Sequence, residues 1–223
     1  MSYVRIVLLL THVAWVSIVC AQPGAESRTS SEDLRVKAGI KGGWNVSVLP
    51  VGNEVENQDY RSGFHLGVFL KAPLNRFLAF QPELTYNNHG THLRSYRTSQ
   101  YAAEGTVKIY LNYVNLSLMG VLNLGPFNVH MGPYVAYLTQ AHSSPLLPLA
   151  SGASVSLHRQ DFRPFDYGFA IGSGMDIGRF HPGVRLSAGS QRIGKDLTPT
   201  GLADSPINGA KNFLFQVYLG IHY

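Results

Sequence analysis

From Leu34 to the end of the chain, apolar side chains recur at every second position in one segment after another. That period belongs to strands, because successive strand side chains point to opposite faces. Eight segments carry it: Leu34 to Asn45, Gly63 to Lys71, Phe77 to Asn87, Ile109 to Leu124, Phe127 to Gln140, Phe165 to Ile177, Phe180 to Gln191 and Asn212 to Tyr223. In the third, Leu78, Phe80, Pro82, Leu84 and Tyr86 oppose Gln81, Glu83, Thr85 and Asn87. In the fifth, Val129, Met131, Val135 and Tyr137 oppose Asn128, His130, Tyr134 and Gln140. Eight strands are enough to close a barrel.

Alternation alone does not say which face is inside. A soluble barrel, such as a ligand-binding barrel of lipocalin type, fills its interior with the apolar face, whereas a transmembrane barrel turns that face to lipid. The connections decide the expectation. They alternate long (46–62), short (72–76), long (88–108), short (125–126), long (141–164), short (178–179) and long (192–211). Outer-membrane barrels have short periplasmic turns and longer extracellular loops, and a soluble up-and-down barrel has no reason to sort its connections so. Only 14% of the 223 residues are charged, against roughly 25% in an average soluble domain. The expected fold is therefore all-β: an eight-stranded antiparallel up-and-down transmembrane β-barrel over residues 34–223, with its charges facing inward. Arg35, Lys37, Lys41, Lys71 and Arg185 against Glu83, Asp166 and Asp176 are the candidates for an interior polar network. Tyr113, Tyr134 and Tyr218, with Arg35 and Lys37, are expected to help plug it.

The chain begins with a targeting pattern. Arg5 precedes a mostly apolar run, Ile6 to Ile18, and Val19-Cys20-Ala21 resembles a small-residue cleavage site. Residues 1–21 are expected to be a cleaved signal peptide and 22–33 a flexible polar lead-in. Cys20 lacks the small residue that a lipidation site wants directly before it. Once Cys20 leaves, the mature chain has no cysteine, which excludes disulfides and Cys-ligated zinc. The formal charge of +5 is spread among Gly and aromatics rather than collected in runs, so no nucleic-acid partner is expected.

The last segment alternates Phe215, Val217, Leu219, Ile221 and Tyr223 and stops on an aromatic residue. This resembles the terminal β-signal by which the barrel assembly machinery recognises outer-membrane proteins. The chain as a whole resembles the PorT-like outer-membrane β-barrel family. The resemblance is carried by Gly39-Ile40-Lys41-Gly42-Gly43-Trp44-Asn45, Gly63-Phe64-His65-Leu66-Gly67-Val68-Phe69 and Phe80-Gln81-Pro82-Glu83-Leu84-Thr85-Tyr86. Leu111-Asn112-Tyr113-Val114-Asn115-Leu116, Gly125-Pro126-Phe127, Gly132-Pro133-Tyr134 and the stretch from Phe165-Asp166-Tyr167-Gly168 to Gly172-Ser173-Gly174 follow in order. It implies an eight-stranded barrel in the outer membrane and, through the eponymous member, an accessory role in envelope or protein secretion. Asn115-Leu116-Ser117 stands where the family often has Glu-Ile-Pro, so an interior carboxylate is missing there.

No catalytic, cofactor or metal constellation stands out. His89 and His92 have metal-like spacing, but Gly90 lies between them and a third ligand is lacking. They are expected to be solvated loop histidines, and His65, His130 and His222 hydrogen-bonded interior ones. Gly172-Ser173-Gly174 lies mid-strand, not at the strand-to-helix turn of a nucleophile elbow. The expected role is a non-enzymatic barrel that meets membrane lipid, lipopolysaccharide phosphates, or envelope and secretion proteins through its loops. His89, His92, Arg94, Arg97, His158, Arg159 and Arg163 form the candidate phosphate-binding cluster. The alternative is an outer-membrane lipid A acyl hydrolase or transferase using His142 with Ser143 or Ser144, although the orienting acid and oxyanion site such chemistry needs are not apparent.

Overall fold

The computed structural model describes residues 35–48, 55–97, 102–143, 146–148, 154–155, 159–194 and 210–223. The expected signal peptide, the lead-in, His158 and Ser144 lie outside the described residues. Eight long strands run in chain order: β1 (Lys37–Val48), β2 (Arg61–Pro73), β3 (Leu78–Arg97), β4 (Ala102–Leu124), β5 (Phe127–Ser143), β6 (Phe165–Met175), β7 (Phe180–Gly189) and β8 (Phe213–His222). Each pairs antiparallel with the next, and β8 returns to β1 from Gly39↔His222 to Val48↔Phe213. The eight long strands thus close as an up-and-down barrel. Closure satisfies the strand ladders internally, which a chain surrounded by lipid requires.

The barrel is inside-out relative to a soluble one. Trp44 (72% exposed), Leu66, Val68, Leu84, Leu116, Val135, Phe169 and Val217 face outward. Lys41, Asn45, His65, Glu83, His130, Arg185 and Gln216 are buried within. On β3 the outward apolar run from Leu78 to Tyr86 spans about 20 Å once strand rise and tilt are combined, close to the apolar band of a membrane barrel. The lipocalin-type alternative, with its apolar face inside, is therefore excluded.

The turns at one end are tight for local reasons. Gly125 (φ 68°) and Gly178 (φ 61°) supply left-handed positions in the two-residue turns at β4–β5 and β6–β7. At β2–β3, Asn75 Oδ1 accepts from the backbone N–H of Phe77 and Leu78, both at 2.9 Å. β1 starts at Lys37 rather than Leu34: its ladder with β2 runs out opposite Lys71, and Pro73 beyond it has no N–H to offer.

The connection expected at 88–108 is mostly strand. β3 continues to Arg97 and β4 begins at Ala102, so His89 and His92 lie in a tall hairpin that rises past the apolar band. A short strand, Val55–Asp59, pairs alongside its upper part. A second small hairpin pairs Leu146–Pro148 with Ser154–Val155.

Candidate functional site

The lumen is filled in layers. At its centre Glu83, whose side chain is fully buried, receives Lys41 Nζ at 2.6 Å, Arg185 Nη1 and Nη2 at 2.6 and 2.8 Å, and Gln81 Nε2 at 2.8 Å. These come from β1, β3 and β7, so one carboxylate ties three parts of the wall together. Lys41 also lies over the Tyr218 ring, 4.5 Å from its centre, and Arg185 Nε donates to His130 Nε2 at 3.3 Å. Small residues make room for these rings: a Cβ at Gly172 would strike the His130 ring, and one at Gly183 the Tyr218 hydroxyl.

Toward the short turns, Asp176 accepts from Lys71 Nζ at 2.7 Å and lies 2.7 Å from His181 Nδ1. Asp176 sits in the turn just beyond β6. Burial pushes its carboxyl up, but the His181 hydrogen bond and the Lys71 charge outweigh that and hold it well below the ordinary carboxylate range. Toward the long connections, Gln216 Nε2 donates to Asn87 Oδ1 (2.9 Å) and Asn45 Oδ1 (3.2 Å), and Asn45 meets His65 at 2.6 Å. Asp166 accepts from Asn212 Nδ2 at 2.7 Å and from the Tyr134 hydroxyl at 3.3 Å.

The eight candidate network residues therefore divide. Lys41, Glu83 and Arg185 form one cluster and Lys71 with Asp176 a second, while Asp166 has neutral partners. Arg35 is exposed short of β1, and Lys37 is half-buried at the short-turn end, in register with Lys71. The composition of polar faces reveals a reservoir of inward charges but not their pairing, which depends on height around the closed barrel. Asn115 and Ser117 do point inward, and Ser117 lies in register with Glu83. Glu83 thus supplies the central carboxylate next to the position where the resemblance led us to expect one missing.

The mouth is of another kind. Ile109, Leu111, Leu138, Phe162, Ile193 and Ala210 form a buried apolar cluster there, all 2% exposed or less. Phe162, Ile193 and Ala210 come from the described ends of the β5–β6 and β7–β8 connections and sit in the opening. Backbone hydrogen bonds lock them: Arg163 N to Ile193 O at 2.8 Å and Ile193 N to Ala210 O at 2.9 Å. Tyr113 (1% exposed) and Tyr134 fill the level just beneath. No reading of strand periodicity could find this plug, because half of it comes from connections.

Several expected surface residues take other places. His89 is buried against Tyr113, ring centres 5.1 Å apart, instead of being solvated in a loop, so it cannot touch a surface phosphate. Arg159 stays exposed but is held on Tyr137, donating to its hydroxyl and, through Nε, to Leu138 O at 2.9 Å. The side chains of His92, Arg94 and Arg97 lie outside the described residues. His142 stacks on Tyr110 (4.8 Å, 9°), while the side chains of Ser143 and Ser144 lie outside the described set. Gln140 was expected on the inward face but is exposed. A register shift opposite Asn112 and Tyr113 reverses the phase of β5, and Gln140 joins an outward amide ladder with Asn88 and Asn112. Ser173 sits mid-strand in β6, hydrogen-bonded on both sides by β5 and β7. On the outer wall, a shallow apolar groove borders Pro82, where the β2–β3 ladder skips from Phe69↔Glu83 to Ala72↔Phe80.

Residues 20–189 match the family profile described as outer membrane protein beta-barrel domain. Comparison with curated protein sequences gave no match. Among solved structures, the chain is similar to Ail, the attachment invasion locus protein of Yersinia pestis, at 10% identity. That match covers 85% of this chain and 99% of Ail, with a TM-score of 0.48. Neisserial surface protein A aligns at 8% identity over 83% of this chain and 97% of its own, with a TM-score of 0.47. OprG from Pseudomonas aeruginosa aligns at 12% identity over 84% and 95%, with a TM-score of 0.42.

Proposed function

Because the chain belongs to the outer membrane protein beta-barrel domain family, we propose that it works as a non-enzymatic membrane barrel whose outer end, not its lumen, meets its partners. The observation that carries this is the filled interior. An ion cluster occupies the centre and an apolar plug the mouth, so neither a solute path nor a substrate cavity runs through the described barrel. Eight-stranded barrels leave an interior just wide enough for side chains, and here the side chains take it. The long connections then face the outside and the tight turns the periplasm, as in the family generally.

The resemblance to PorT-like proteins supports an envelope or secretion-accessory role, with lipopolysaccharide and envelope proteins as partners. The terminal strand supports recognition by the barrel assembly machinery: Phe215, Val217, Leu219 and Ile221 lie on β8, the strand that closes the barrel against β1, and Tyr223 follows directly after it, its N–H donating to Ala38 O at 2.8 Å. Purified protein in planar bilayers is expected to show no large steady conductance. Stable porin-like channels would overturn the plugged-barrel reading.

A further inference from the structure

The outward-facing columns of β6, β7 and β8 change character at the same height. On β6, exposed Phe169, Tyr167 and Phe165 lead to exposed Arg163. On β8, Val217 and Phe213 lead to Lys211, two residues beyond that phenylalanine. On β7, Ala188 and Ser190 lead to Arg192. All three cations are exposed, and the segments bearing them lie side by side, joined by the Arg163 N to Ile193 O and Ile193 N to Ala210 O hydrogen bonds. Strands spaced about 4.8 Å apart place the three within roughly 10 Å of arc. Arg159, held on Tyr137 beside Phe165, extends the row toward β5.

Among the described residues the row carries excess positive charge. None of Arg163, Arg192 and Lys211 forms an ion pair among the described residues. Half-buried Asp161, in the same segment as Arg159 and Arg163, offsets one of the four charges. The opposite wall differs at its own band edge. There the lipid-facing columns of β3, β4 and β5 end in the neutral ladder Asn88–Asn112–Gln140. Cations directly above a lipid-facing aromatic band sit at the level of headgroup phosphates, and each basic residue near such a surface adds attraction for anionic lipid.

We propose that Arg163, Arg192 and Lys211 form a binding site for the phosphates of an outer-leaflet glycolipid, on the β6–β8 side. Guanidinium groups can take phosphate oxygens two at a time, with the lysine as a point charge beside them. The site would fasten a lipid against the β6–β8 wall, next to Phe162, Ile193 and Ala210 in the mouth. It rests on the reading that the long connections face outward.

The experiment uses the full chain, folded in detergent and titrated with lipid A carrying two phosphates or one, with bound lipid read by native mass spectrometry. The test protein carries Arg163→Gln, Arg192→Gln and Lys211→Gln together, and heat-modifiable migration checks that it has folded. Its retention of the two-phosphate lipid is expected to fall by about tenfold or more, and it should no longer favour that lipid over the one-phosphate form. Arg76→Gln, in the tight turn at the other end, is expected to behave as wild type. In intact cells a membrane-impermeant thiol reagent should reach Lys211→Cys but not Arg76→Cys. Labelling of residue 76 instead would sink both the orientation and the site. Labelling of residue 211 with undiminished lipid retention by the triple variant would sink the site alone.

Discussion

In β4, Leu116 and Leu118 face outward while Ser117 is buried; a few residues earlier, Lys108 and Tyr110 lie on the outer side while Ile109 and Leu111 are completely buried. The backbone alternates without interruption through both stretches, yet the polarity of the two faces exchanges near Asn112. Below that point the strand's outer face meets lipid, and the barrel interior holds the ion clusters of other strands beside buried Ser117 and Met119. Above it the outer face meets water and the interior is the apolar plug. The hydrophobic effect explains both, since each face matches the solvent it meets. The barrel is therefore inside-out only where the membrane is, and an ordinary β structure where it emerges. The outward amides of Asn88, Asn112 and Gln140 mark the crossover on three neighbouring strands.

The largest effect expected from this contrast is at the centre. Glu83→Ala leaves Lys41 and Arg185 buried without their carboxylate, and removing one partner of a buried charge cluster costs about 3–5 kcal/mol. Urea unfolding in detergent, followed by heat-modifiable migration, should show that loss for the whole barrel. A change within about 1 kcal/mol would mean that water, not Glu83, solvates the two cations. The next effect separates the two halves of β4 directly. Leu118→Lys puts a charge on the lipid face and is expected to cost about 2–4 kcal/mol in bilayers, depending on depth. Tyr110→Lys has the same parity above the crossover and should cost less than about 1 kcal/mol. Equal costs would break the assignment of the membrane edge at Asn112.

Much of this was legible in the sequence, and the misses share one physical cause. Strand identity and inward or outward phase follow from period-two alternation, so Lys41, Glu83 and Arg185 could be placed inside before any pairing was known. The tight turns follow from Gly125-Pro126 and Gly178-Arg179. What alternation hides is height. His89 keeps the inward parity of Asn87 and Glu83 but sits in a tall hairpin against Tyr113, where a local reading saw only a Gly-interrupted polar stretch. A signal did exist: apolar residues move from odd positions at Ile109 and Leu111 to even ones at Val114 and Leu116. That phase jump marks a change of solvent. Gln140 fails differently, because the register shift that exposes it depends on the partner strand. Phe162, Ile193 and Ala210 have no periodicity to read, since their burial is decided by the opening they sit in.

The smallest expected effect tests the other edge of the membrane. Asp176 bonds to Lys71 and His181 as Glu83 does to its cations, but its side chain is 30% exposed at the short-turn end. A pair open to water contributes about 0–1 kcal/mol, so Asp176→Asn should cost far less than Glu83→Ala. Its dependence on pH identifies the group. The folded carboxyl is held below its unfolded value, so its contribution is present above the ordinary carboxylate range and disappears as pH falls through the depressed folded value. Wild type and Asp176→Asn should therefore differ in unfolding midpoint at neutral pH and converge in strong acid. A gap that persists unchanged into acid would show that the aspartate acts there by shape rather than by charge. It would also remove the parallel between this outer ion pair and the buried one at the barrel's centre.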